Sequence, residues 1–126
     1  FNCSITFLYA TVTGNAREAA ELLAYEAERK RYGQLKIQSL EDYSVQNLPD
    51  EQIVVFCVST TGQGDPPNSF KKFWRFLLRS DLPKDSLNNV QFAVFGLGDT
   101  AYVKYNLVAK KLFRRCEQLG AHAIVP

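Results

Sequence analysis

The chain has 126 residues, of which 46% are hydrophobic, 13% aromatic and 22% charged, with a formal net charge of +2. This is the make-up of one ordinary globular domain, which excludes a disordered or fibrous chain, while the charge balance selects no class of partner. No apolar run approaches about 18 residues, and the N-terminus lacks the basic, apolar and small-residue order of a secretory signal, so a soluble cytoplasmic protein with no membrane segment is expected. The three cysteines, Cys3, Cys57 and Cys116, are odd in number and widely spaced. Neither a disulfide framework nor a zinc site follows from them, and reduced thiols are expected, with Cys57 packed in a strand. The chain begins at Phe1 rather than Met and ends at Pro126 just after a short apolar run, so a C-terminally incomplete domain spanning 1–126 is expected.

Apolar runs alternate with helical patterns along the chain. "SITFLYA" (4–10) is the first strand, and Ala16, Ala20, Leu23 and Ala27 form the stripe of the helix that follows, with Arg29, Lys30 and Arg31 near its C-terminus and Gly33 as its left-handed stop. "LKIQSL" (35–40) alternates and suits an edge strand. The region 41–51 reads as a connection with one short turn. "QIVVFCVS" (52–59) is a near-continuous apolar strand, and Pro66-Pro67-Asn68 introduces a helix whose Phe70, Phe73, Trp74 and Leu77 keep i, i+3, i+4, i+7 spacing. "VQFAVFGLG" (90–98) is a third apolar strand. Val108, Leu112, Cys116 and Leu119 mark a last helix closed by Gly120, and "AHAIV" (121–125) is a fifth strand.

Strands without in-out alternation require cover on both faces, as in a parallel sheet flanked by helices. The alternation therefore predicts a doubly wound α/β sheet with right-handed crossovers and ligands at the carboxyl ends of its strands. The loops choose between the dinucleotide strand order and the flavodoxin-like order 2-1-3-4-5.

Three loops follow strands at that edge. "TVTGNA" (11–16) offers amides and two hydroxyls to a phosphate at a helix N-terminus, and it lacks the Gly-Lys-Ser/Thr ending of a triphosphate loop. The alternative is that Thr13 or Asn15 only caps the helix. "STTGQGDPP" (59–67) holds hydroxyls and glycines but no cation. "GLGDTAYVKYN" (96–106) formally fits G-x-G-x-x-G/A, yet it follows the fourth strand rather than the first and has no acid at the required distance on a strand end. Its better use is as a close backbone wall beside a flat ligand, with Tyr102 against the ring. A planar heteroaromatic on a phosphate tether satisfies all three loops, and flavin mononucleotide (FMN) has that shape.

Together, "TVTGNA", "STTGQGDPP", "FKKFWRFLLRSDLP" and "FAVFGLGDTAYVKYNLVAKKL" resemble the FMN-binding domain of the NADPH-dependent diflavin reductases, and the resemblance covers essentially the whole chain. It implies that Thr11, Val12, Thr13, Gly14, Asn15 and Ala16 bind the FMN phosphate. It implies that Ser59, Thr60, Thr61, Gly62 and Gly64 pass along the flavin. It places Gly96, Leu97, Gly98 and Asp99 beside the ring, Tyr102 on its face and Asn106 nearby. The resemblance further implies an electron relay from a separate FAD/NADPH reductase domain to an iron-sulfur or other redox protein acceptor, in cytosolic iron-sulfur protein assembly. Two departures stand out: Thr61 occupies a position where many such proteins carry an aromatic, and the acidic loop and final helix of relatives do not follow the fifth strand. A free-standing flavodoxin-type carrier and a cofactor-free interaction module with this fold are the alternative readings.

The remaining residues have structural readings. His122 is expected as a surface or hydrogen-bonded residue, and Trp74 as core. The basic residues Lys71, Lys72, Arg75, Arg79, Lys104, Lys110, Lys111, Arg114 and Arg115 are expected mostly as solvated helix faces that could dock an acidic partner. Nucleic acid is not expected, because these cations are not interleaved with exposed aromatics.

Overall fold

The apolar runs become the inner strands of a five-stranded parallel sheet in a computed structural model that describes residues 4–11, 14–30, 33–59, 67–79, 81–97 and 107–124. In chain order the elements are β1 (Ser4–Ala10), α1 (Asn15–Arg29), β2 (Gln34–Ser39), β3 (Ile53–Ser59), α2 (Asn68–Leu77), β4 (Gln91–Leu97), α3 (Leu107–Gln118) and β5 (His122–Ala123). The sheet order is β2-β1-β3-β4-β5, with every pairing parallel. This is the 2-1-3-4-5 order, with the alternating strand β2 at an edge as its pattern predicts.

One strand is shorter than the sequence suggests. The β5 ladder covers only His122 and Ala123 and closes where the Ile124 amide bonds the Phe92 carbonyl at 2.8 Å. The connection before β3 contains one 3₁₀ segment, Val45–Asp50, which includes Pro49 and is anchored by the buried Leu48.

The two faces of the sheet are packed differently. Ala16, Ala20, Ala24 and Ala27 of α1 are buried on Ile5, Phe7 and Cys57, and the absence of bulk on that stripe brings the helix close to the strands. Helices α2 and α3 share the opposite face, over a larger core that includes Phe56, Phe70, Phe73, Phe92 and Leu112. Its aromatics interlock: Phe73 lies 5.8 Å from Phe56 and 5.9 Å from Phe70 between ring centroids, and Phe92 lies 5.1 Å from Phe113. Each such buried side chain contributes about 1.5–3 kcal/mol of transfer free energy. Trp74 departs from its core assignment. It is half-buried at the edge of the cluster, stacked on Phe70 at 5.6 Å.

Among the described residues the α1 face of the sheet is only partly covered. A helix is about 10–12 Å wide and strands repeat every 4.7–4.9 Å, so one helix shields two to three strands. Helix α1 contacts β1, β2 and β3, and beyond it Phe95 of β4 and Ile124 remain 42% and 47% exposed.

Gly120 closes α3 as expected, at φ 95°, whereas α1 already ends at Arg29 and Gly33, at φ 134°, directly precedes β2. Gly120 is doubly constrained, because a Cβ there would stand 3.3 Å from the Lys84 carbonyl oxygen. Arg115 corrects the reading of the cations as solvated faces. Its Nε donates to the Leu77 carbonyl at 2.7 Å and one terminal nitrogen to the Arg79 carbonyl at 3.1 Å, so it satisfies carbonyls at the end of α2 that the helix cannot pair internally.

Candidate functional site

Register brings the carboxyl ends of three strands together. Ala10 pairs with Val58 and Val58 with Gly96, while Ser59 pairs with Leu97. The segments that follow β1, β3 and β4 therefore leave three adjacent strands at one carboxyl edge, within about 10 Å across the sheet. Helix α1 also starts there, directing its N-terminal amides and the positive end of its dipole to the same edge.

The first turn of α1 is not capped in the ordinary way. The N-cap residue is Gly14, at φ 93° and ψ −9°, and no side chain caps it. A Cβ at Gly14 would meet no heavy atom within 4 Å, so the left-handed backbone rather than crowding demands glycine. Thr11 organises the turn from outside the helix: its Oγ1 accepts from the Gly14 amide at 2.7 Å and from the Ala16 amide at 3.3 Å. A hydroxyl has two acceptor lone pairs and one donor. With both lone pairs engaged, the remaining capacity of Thr11 is to donate, which suits an anion. The Gly14 and Ala16 amides are engaged by Thr11, and the Thr11 hydroxyl proton and the positive end of the helix dipole fit a phosphate there without a cation in the loop.

Of the residues assigned from sequence, the described structure places Thr11, Gly14, Asn15 and Ala16 at the start of α1, Ser59 at the end of β3, and Gly96 and Leu97 at the end of β4. Ala16 and Ser59 are buried. Val12, Thr13, Thr60, Thr61, Gly62, Gly64, Gly98, Asp99, Tyr102 and Asn106 lie outside the described residues. The bridging role of Thr11 was not legible in the sequence, since a Thr three residues before a glycine is common in turns of many kinds.

Other chemistry-bearing side chains are accounted for elsewhere. His122 pairs with Gln91 at the opposite, amino-terminal ends of the strands, and its Nε2 lies 3.0 Å from the Asn88 carbonyl oxygen. Burial pushes the thiols of Cys57 and Cys116 up to about 12, which leaves them protonated and inert at neutral pH. The fully buried Thr6 donates to Glu51 Oε1 at 2.9 Å, and the Tyr43 hydroxyl donates to Oε2 at 2.6 Å. Burial, followed by the hydrogen bond and charge of Glu51, holds the Tyr43 phenol far above its ordinary range. This cluster ties the connection before β3 to β1. Among the described residues no group of His, Cys, Asp and Glu could hold a metal, and no helix is long and apolar enough to cross a membrane.

The family described as Flavodoxin matches residues 7–126. The chain belongs to the flavodoxin family. The crystal structure of oxidised flavodoxin 1 from Bacillus cereus superposes with a TM-score of 0.80 at 22% identity, covering 98% of this chain and 80% of that one, which shows the fold. The flavodoxin domain is also 50% identical over 123 residues to the Danio rerio NADPH-dependent diflavin oxidoreductase 1, covering 98% of this chain and 20% of the relative. Against the Arabidopsis thaliana protein of the same name, identity is 53% over 119 residues, covering 94% of this chain and 19% of the relative. The domain thus spans about a fifth of the length of these oxidoreductases. Flavodoxin domains bind FMN.

Proposed function

We propose that the chain is the FMN-binding electron-transfer domain of an NADPH-dependent diflavin reductase. The convergence of the β1, β3 and β4 ends with the α1 N-terminus supports this reading, because the segments assigned to the phosphate and to the flavin all leave the sheet at one edge. In this reading the Thr11 hydroxyl and those amides of residues 12–16 not already given to Thr11 hold the phosphate. Residues from Ser59 to Gly64 form one wall of the flavin site, Gly96 to Asp99 form the other, and Tyr102 stacks on the ring with Asn106 nearby. Bound there, FMN would supply one- and two-electron redox chemistry that no side chain of this chain provides.

The protein side of the work is binding, orientation and control of solvent access. No side-chain acid, base or nucleophile is assigned. The full protein would contribute an FAD/NADPH reductase domain, and the acceptor would be an iron-sulfur or other redox protein in cytosolic iron-sulfur protein assembly. Identity near 50% to named diflavin oxidoreductases supports this over a free-standing carrier.

The test is titration of the intact protein with FMN and with riboflavin, followed by absorption and flavin fluorescence. A perturbed flavin spectrum with FMN bound more tightly than riboflavin is expected. A protein that leaves both spectra unchanged would instead be a cofactor-free module with this fold.

A further inference from the structure

Beside the redox edge, on the α2–α3 face, lies a groove of about 600 Å³ between residues 40–46 and α2, within the range of about 300–1,000 Å³ typical of ligand-binding pockets. Leu40, Tyr43, Phe73 and Phe76 give it an apolar floor. One lip carries the exposed carboxylates Glu41 and Asp42, and the other the exposed cations Lys72 and Arg75. None of these four side chains is in an ion pair with a described residue, although the two lips carry opposite charges across the groove. Arg79, also on the lip, is neutralised by Asp81 at 2.6 Å.

The floor is preformed. Arg79 stands over the Phe76 ring, 5.4 Å from its centroid, and the Tyr43 hydroxyl is tied to Glu51 at 2.6 Å. Rings fixed in this way give up little further freedom when covered. The upper end lies at the carboxyl edge, where the Leu40 amide bonds the Tyr9 carbonyl at 2.8 Å.

We infer that this groove docks a segment of a partner protein that places an apolar side chain on the Tyr43–Phe76 floor and carboxylates against Lys72 and Arg75. A polyphosphate backbone would also meet the cations, but it has no apolar anchor for the floor. A polypeptide supplies both the carboxylates for Lys72 and Arg75 and the anchor for the floor. Docking engages the polypeptide alone and so stands apart from the flavin reading.

Fluorescence anisotropy tests it, using the intact protein and a labelled peptide of glutamates around a central phenylalanine. The glutamine counterpart, the alanine-anchored counterpart and a DNA duplex serve as comparators. Saturable binding of the acidic peptide is expected, weakened by salt and by loss of the phenylalanine. The pair Lys72→Glu and Arg75→Glu should weaken it roughly tenfold. The pair Lys110→Glu and Lys111→Glu changes the net charge equally, on exposed positions of α3 outside the groove, and should have a much smaller effect. All four sites are exposed, so circular dichroism should show both variants folded. Equal losses from the two pairs, equal binding of the glutamine peptide, or DNA binding with the same dependence on Lys72 and Arg75 would overturn the inference.

Discussion

Arg115 on α3 donates to the carbonyl of Leu77 at the end of α2, at 2.7 Å. A second bond, to the Arg79 carbonyl at 3.1 Å, makes one guanidinium a polar join between α3 and the end of α2, beside the core they share. A charged donor to a partly buried acceptor contributes about 1.5–3 kcal/mol, and an exposed one less. Arg115→Ala should therefore destabilise the domain by about 1–2 kcal/mol in urea denaturation. Arg115→Lys should recover only part of that, because a single ammonium cannot present the planar fork that reaches both carbonyls. An alanine variant as stable as the parent would show that water replaces the guanidinium without cost.

Periodicity made the architecture readable because it reports burial, and burial decides strand and helix here. The uninterrupted apolar strands and the alanine stripe of α1 lie where their patterns put them. Arg115 was misread for the same reason: a cation off the apolar stripe looks solvated, and nothing local reveals that a second helix ends beside it. Trp74 followed the stripe but sits at its margin, since a ten-residue helix turns one flank of its apolar face toward solvent. At the site, the gathering of the β1, β3 and β4 ends at one edge followed from strand order. The amide bonds of Thr11 did not, since they depend on the left-handed backbone at Gly14.

Three protonated groups define the alkaline limit. Burial raises the Cys57 and Cys116 thiols from 9.0 to about 12, and burial with Glu51 raises the Tyr43 phenol further above its own range. In each case the folded state holds the proton and the unfolded chain releases it first. The unfolded state thus binds fewer protons as pH rises, and stability must fall. The contribution is intact below pH 9 and declines between about 9 and 12 for the thiols, with Tyr43 adding to the slope above about 10. Urea midpoints measured across this range should show the decline. Tyr43→Phe should flatten its upper part.

The same burial predicts chemical silence. Neither Cys57 nor Cys116 should be alkylated by iodoacetamide in the native protein at neutral pH, and both should react once urea unfolds it. Peptide mass spectrometry separates the two sites. Native labelling at Cys57, two residues before the end of β3, would mean that the carboxyl edge opens more readily than its packing indicates.

Thr61, at the position where many similar proteins carry an aromatic, tests the second face of the proposed flavin site. One stacked ring is worth about 0.5–1.5 kcal/mol beyond its area burial. Thr61→Tyr should tighten FMN by roughly two- to tenfold in a fluorescence titration. The gain should be the same for riboflavin, because stacking is indifferent to the phosphate. No gain for either ligand would remove the premise that this face of the ring is open.

Thr11 provides the complementary measurement, because its effect should depend on the phosphate alone. Its Oγ1 accepts from the Gly14 and Ala16 amides, so the proton left to it can only be given to an incoming acceptor. Thr11→Val keeps the shape but loses the amide bonds and the donor; Thr11→Ser keeps all three. A hydrogen bond to a charged group contributes about 1.5–3 kcal/mol, so the valine variant should bind FMN about 10- to 100-fold more weakly, while the serine variant stays near the parent. Riboflavin affinity should move little in either, which separates a phosphate contact from general damage to the turn. Gly14→Ala provides the structural control: its left-handed φ of 93° disfavours alanine by about 1–2 kcal/mol, so it should lower stability as well as FMN affinity. If Thr11→Val weakened riboflavin and FMN equally, the hydroxyl would be organising the loop rather than meeting the phosphate, and the anion would have to be held by the helix amides alone.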